Sequence, residues 1–249
     1  VYIDGQLLEP REKYGFGGTR KTEFVLARDL EEGYHTFSII RQNESETGEF
    51  CIRYIMLTGR LQTPPRDRER YIEFVGDSIT TGIGNLYTPE ARDPSIDPKS
   101  KVYQDGTQTY AILAARRLRA DCSVVAQQGI GIICGWQPHT MLETYEMTCY
   151  QRNRRADWNF IRQPDFVVIN LGSNDMDKIE ENGKTPVDVQ AGAVHLSRII
   201  RGHYPSAGIV WAMGMIGQQL CPYLRAAVEE LGGAENGYYY LQLESDTAA

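Results

Sequence analysis

The sequence predicts an α/β protein: a three-layer α/β/α domain around a mostly parallel sheet, preceded by a partial, jelly-roll-like β-sandwich module. Three observations carry this. From residue 71 onward, apolar runs of strand length alternate with amphipathic helical stretches, the pattern of a parallel sheet built by crossovers. Residues 1–62 instead show short alternating runs and turn dipeptides without a helical period. Between them lies Thr63-Pro64-Pro65 and the mixed-charge run Arg66-Asp67-Arg68-Glu69-Arg70, a linker, because paired prolines stiffen the chain and cannot join a ladder. The expected division is a sandwich module at 1–62, a linker at 63–70 and the α/β domain at 71–249.

In the first segment, Val1-Tyr2-Ile3 runs into an Asp4-Gly5 turn. Glu23 to Leu26, Tyr34 to Ile39 and Phe50 to Leu57 alternate apolar with polar residues and read as strands. Four or five strands are fewer than the roughly seven of a closed sandwich, so the module reads as the back part of one. His35 falls on the polar phase of its run and is expected at the surface or rim.

In the α/β domain the first strand is Tyr71 to Val75, stopped by Gly76 and followed by Asp77-Ser78. A polar, proline-bearing loop fills 86–106, and a surface helix starts at Thr107, with Tyr110, Ala111, Ala114 and Leu118 on one face. Ser123 to Gln127 is the second strand, ending in Gln128-Gly129-Ile130-Gly131, and Asp165 to Leu171 is the third, ending in Gly172-Ser173-Asn174-Asp175. Thr185-Pro186 opens a helix whose buried stripe is Val189, Ala193, Leu196 and Ile200. A fourth strand at Gly208 to Met213, a helix from Leu220 to Leu231 stopped by Gly232, and a fifth strand at Tyr238 to Leu243 complete the pattern.

A formal charge of −7 over 249 residues, with scattered arginines, argues against a nucleic-acid partner. The runs 66–70 and 152–155 read as solvated loops. No apolar run reaches the roughly 18 residues of a membrane span, so no membrane partner is expected. The five cysteines form no Cys-x-x-Cys spacing, which leaves a zinc site or dithiol unsupported; an odd count of free thiols leans towards a reducing compartment. No metal or cofactor is expected.

The chemistry concentrates in three glycine-bearing turns, which parallel strands place on one sheet edge. Ser78 is the candidate nucleophile; alone, Asp77 and Ser78 read equally well as helix caps. The amides of Ser78 and Gly129 and the side chain of Asn174 are candidate oxyanion donors, with Asp77 and Asp175 in support. Glycine suits position 129 because a side chain there would hold a carbonyl off the amide. Taken singly, Asn174 reads as a turn residue. Trp136 is a candidate sugar-stacking contact, whereas Trp211, inside a strand, is expected in the core.

Gly76-Asp77-Ser78-Ile79-Thr80, Gly129 and Gly172-Ser173-Asn174-Asp175 resemble the blocks of the SGNH (GDSL-type) hydrolases. The extended pattern through Gly82, Gly84 and Asn85, with Pro164-Asp165 leading into Asn170-Leu171-Gly172, is most similar to the family 2 carbohydrate esterases (acetyl esterases), in which a small β-sandwich precedes the hydrolase domain. The resemblance implies a carboxylic-ester hydrolase that removes O-acetyl groups from carbohydrate, of the acetyl-xylan or oligosaccharide type, without a metal, through an acyl-enzyme on Ser78; it also allows secretion. It further implies a late histidine block, absent up to Ala249. The chain is therefore expected to be clipped at both ends, with its catalytic histidine beyond Ala249, and to be near inactive as it stands. His139, in the loop after the second block, is the long-shot substitute base, while His195 and His203 read as helix-face residues. Two alternatives stay open: an SGNH lysophospholipase or thioesterase, and a catalytically silent carbohydrate-binding homologue.

Overall fold

A computed structural model describes residues 1–8, 21–44, 51–90, 92–148 and 157–245. Phe50, Cys149, the run 152–155 and Asp246 lie outside the described residues. The chain divides into two compact units, Val1–Gln42 and Asn43–Ala249, with the first ending before the sequence-based boundary at 62.

In the first unit, strands β1 (Tyr2–Ile3), β2 (Gln6–Leu7) and β3 (Phe37–Ser38) form an antiparallel sheet in the order β2-β1-β3. Asp4, at φ 50, makes the turn after β1. Its carboxylate accepts from the Thr36 N–H at 2.7 Å and pairs with His35 Nδ1 at 2.6 Å, so His35 is a turn-fixing residue. The described residues of the expected sandwich module thus show a small antiparallel sheet. The described residues of the runs at 23–26 and 51–57 carry no strand. Alternation prepares one face for burial, but a strand exists only with a partner for its ladder; Tyr54, Met56 and Leu57 are instead exposed.

The second unit is built on β4 (Arg70–Gly76), β5 (Ala120–Ala126), β6 (Phe166–Asn170), β7 (Gly208–Met213) and β8 (Tyr238–Gln242). All are parallel, in the order β5-β4-β6-β7-β8. The helices are α1 (Ser78–Thr81), α2 (Tyr110–Leu118), α3 (Met141–Thr144), α4 (Ser173–Lys178), α5 (Pro186–His203) and α6 (Cys221–Glu230). Local chemistry sets their ends. A Thr185/Asp188 capping box with Pro186 starts α5, and Gly232, at φ 94, follows α6.

One sheet face packs against α5 and α6, burying Val75, Val167, Ile169, Ile209 and Trp211 beside Val189, Ala193, Leu196, Ile200 and Leu224. Trp211 is a core residue as expected, and its Nε1 donates to Ser197 Oγ at 2.9 Å. The other face is covered by α2 over Ile72 and Phe74. Among the described residues that cover stops short of β7 and β8, leaving Tyr239 and Leu241 exposed. One charged side chain sits inside β4. Glu73, buried to 1%, accepts from Tyr145 Oη at 2.5 Å, Tyr204 Oη at 3.0 Å and Ser123 Oγ at 3.1 Å. Burial and the adjacent carboxylate hold both tyrosine hydroxyls far above their ordinary pKa, so they stay donors.

Candidate active site

Strand register brings the three turns together. Gly76 pairs with Ala126 on one side and Asn170 on the other, so β4, β5 and β6 end level at the carboxyl edge. A Cβ on Gly76 would strike Thr80 Oγ1 and come within 3.1 Å of the Asn170 carbonyl. A side chain at 76 would therefore collide with Thr80 in α1. Ser78 is the first residue of α1, half-buried, and its N–H is one of those with no intrahelical acceptor. Asp77 is the N-cap, with Oδ1 accepting from the Ile79 N–H at 3.0 Å.

Side chains then knit the turns. Asn174 Nδ2 donates to the Ile130 carbonyl at 2.8 Å and, through a longer bond of 3.3 Å, to Asp77 Oδ2. Asp175 is fully buried, and its carboxylate accepts from the N–H groups of Ile132, Ile133 and Cys134 at 2.8, 2.9 and 3.2 Å. The loop comes so close that a Cβ on Gly131 would lie 2.7 Å from Asp175 Oδ2. Gly129 is buried at φ 79, and among the described residues its N–H has no acceptor. Buried amides are nearly always paired, so an unspent one marks a position for a ligand atom.

The two carboxyls share an electrostatic problem. Burial pushes Asp77 up to about 7; the Ile79 N–H offsets only part of that rise, and the neighbouring Asp175 carboxylate adds a smaller push. Burial raises Asp175 as well, against the three N–H bonds that favour its ionised form. For Asp77 the folded pKa lies above the unfolded one, so its contribution to stability is fully present below about 4, is lost as pH rises to about 7, and is constant above that. Asp77→Asn keeps a capping oxygen but does not titrate. Urea unfolding from pH 5 to 8 should show the parent losing stability relative to the variant up to about pH 7; parallel curves would refute the shift.

Trp136 is 63% exposed next to Gly129, its N–H donating to the Gly129 carbonyl at 2.8 Å. One face of its indole is taken by the Lys178 ammonium, 3.7 Å from the ring centroid. His139 Nε2 is 2.7 Å from Gln127 Oε1, and among the described residues no histidine is hydrogen-bonded to Ser78. His195 is exposed on α5, whereas His203 stacks on Phe160 and pairs with Glu146 at 2.5 Å. Among the described residues, Cys51, Cys122, Cys134 and Cys221 are free thiols, and no helix is long and apolar enough to cross a membrane. A hollow of about 630 Å³ lies at the opposite, amino edge, but Arg201 beside it spends its guanidinium on the carbonyls of Tyr204, Pro205, Ala207, Asn236 and Gly237. The open chemistry is at the carboxyl edge.

Residues 72–245 match the GDSL-like lipase/acylhydrolase family. The chain belongs to this family. Over 217 residues this GDSL-type protein is 31% identical to the cellulase/esterase CelE of Acetivibrio thermocellus, a match covering 85% of this chain and 25% of that protein. It is 27% identical to an acetylxylan esterase / glucomannan deacetylase of Cellvibrio japonicus, over 74% of this chain and 51% of that one. Among solved structures, a family two carbohydrate esterase from Clostridium thermocellum in complex with cellohexaose is 28% identical, with a TM-score of 0.65, covering 77% of this chain and 59% of that chain. The acetyl xylan esterase Est2A from Butyrivibrio proteoclasticus is 25% identical, with a TM-score of 0.66 and the same coverage. The GDSL-type chain thus spans between a quarter and about three-fifths of the lengths of these relatives.

Sequence reasoning missed Glu44 and Gln137, whose side chains hydrogen-bond the N–H and the carbonyl of Gln128 beside Gly129. It also passed over Glu73, although a lone carboxylate in an apolar strand is itself a signal that buried donors await it.

Proposed function

We propose that the protein is a serine esterase that removes O-acetyl groups from carbohydrate. The observation that carries this is the N–H of Gly129, a buried residue, which meets no acceptor among the described residues at the sheet edge where Ser78 opens α1. In the reaction, Ser78 Oγ attacks the acetyl carbonyl and gives its proton to a general base, and the carbonyl oxygen becomes an oxyanion. The N–H groups of Gly129 and Ser78 receive it. Asn174 Nδ2 adds a third donor by exchanging its long bond to Asp77 for one to the oxyanion. Collapse of the intermediate expels the sugar alkoxide, which takes up the proton, and leaves acetyl-Ser78. Water, deprotonated in the same way, then releases acetate and restores the serine. His139 is directed to Gln127 in the structure, and the base role is not assigned to it.

Carbohydrate is favoured as substrate by the names of the relatives, acetylxylan esterases and a cellohexaose-bound esterase, and by Trp136, whose free face offers a stacking platform beside the oxyanion turn. The test is to incubate the full-length protein with acetylated xylo-oligosaccharides, lysophosphatidylcholine and a long-chain acyl thioester. Acetate release from the first alone is expected. Trp136→Ala should then raise KM for the oligosaccharide roughly tenfold while leaving KM for 4-nitrophenyl acetate unchanged. Turnover of the lipid or thioester in preference to the sugar ester would overturn the substrate assignment, and carbohydrate binding with no turnover would make the protein a silent homologue.

A further inference from the structure

We infer that Glu44 and Gln137 are positioning residues that aim the Gly129 N–H at the oxyanion; the inference rests on the esterase reading above. A trans peptide is planar, with N–H and C=O pointing in opposite directions, so whatever holds one carbonyl also points the following N–H. Gln137 Nε2 donates to the Gln128 carbonyl at 2.8 Å. That bond fixes the Gln128–Gly129 peptide plane and turns the Gly129 N–H the opposite way, where no acceptor among the described residues meets it.

The planes on either side are held as well. Glu44 Oε2 accepts from the Gln128 N–H at 2.7 Å, and the Trp136 N–H donates to the Gly129 carbonyl at 2.8 Å. Three successive peptides around one glycine are therefore fixed. The fixing matters because Gly129, without a Cβ, has the lowest barrier of any residue type to rotating its flanking planes. An oxyanion donor works by being oriented before the charge forms.

Glu44 is well placed to hold. Its carboxylate is 2% exposed, its Oε1 lies 3.3 Å from Lys101 Nζ, and its N–H donates to Gln104 Oε1 at 3.2 Å. The next residue, Asp105, donates its N–H to the Gly82 carbonyl at 3.0 Å, at the end of α1. Glu44 thus ties the oxyanion turn to the loop behind the nucleophile helix. It does so from outside the matched region, 72–245, as part of the same compact unit.

The experiment measures kcat and KM for 4-nitrophenyl acetate in the full-length protein with Gln137→Met, Glu44→Gln and the double variant, beside the parent and Ser78→Ala. Deleting a whole oxyanion donor costs about 10²–10³ in kcat. Misaiming one should cost a part of that, about tenfold for each single variant, with KM within about twofold. The double variant should lose less than the product of the single losses, because both residues act through one amide. Gln137 is half-buried in a loop, so Gln137→Met is expected to keep the parent's circular dichroism and melting temperature even if Glu44→Gln does not. A Gln137→Met protein with parental kcat, or a loss confined to KM, overturns the clamp while Ser78→Ala still tests the esterase reading. A full-length parent without turnover, or an active Ser78→Ala, overturns the reading and the clamp with it.

Discussion

Ser78→Ala in the complete protein is expected to reduce ester hydrolysis by about 10⁶, the loss found when a nucleophile is taken from a unit that works only when complete. The change removes one half-exposed oxygen at the start of α1 and no core volume, so the melting temperature should stay within a few degrees of the parent's. Steady-state rates on 4-nitrophenyl acetate and a thermal melt suffice. Residual activity above about a tenth of the parent's would take the nucleophile assignment away from Ser78, since a true nucleophile leaves far less behind.

Asn174→Ala is expected to lower kcat by roughly 10²–10³ with a smaller change in KM, as befits a donor that acts on the transition state. The structure adds a second consequence. Asn174 Nδ2 is the partner of the Ile130 carbonyl, in the loop that follows β5, and the residue is 8% exposed. Leaving a buried carbonyl unpaired costs about 1–3 kcal/mol, so denaturant unfolding should show a stability loss that Ser78→Ala lacks. A change in KM alone would make Asn174 a ground-state contact. An unchanged stability would mean that water replaces the amide at Ile130.

The parallel sheet and its three turns were legible because they are local statements: apolar runs of strand length, each stopped by a glycine that the following turn requires. β7 was read at its observed bounds, and the other four strands lie within a few residues of expectation. Glu44 and Gln137 were not legible, since their contribution depends on which way a peptide plane faces after loops far apart in sequence have closed. Nor did the alternating runs at 23–26 and 51–57 reveal that the described residues supply no neighbouring strand. Pattern reports what a segment would bury, and pairing depends on the rest of the fold. Asn174 lay between these extremes. Its place at the edge was readable, but its two bonds to Ile130 and Asp77 were not.

Glu73 bears on how Ser78 comes to be at the edge at all. Side chains along a strand alternate faces, so sliding β4 by one residue would carry its carboxylate from the hydroxyls of Tyr145, Tyr204 and Ser123 to the apolar side occupied by Ile72 and Phe74. An uncompensated carboxylate there is costlier than almost any packing defect. The apolar residues of β4 tolerate misalignment, since Ile72, Phe74 and Val75 can bury on either face; Glu73 does not. Five residues before Ser78, it favours one alignment of the strand over its one-residue slip, and with it the level at which Gly76 leaves the sheet.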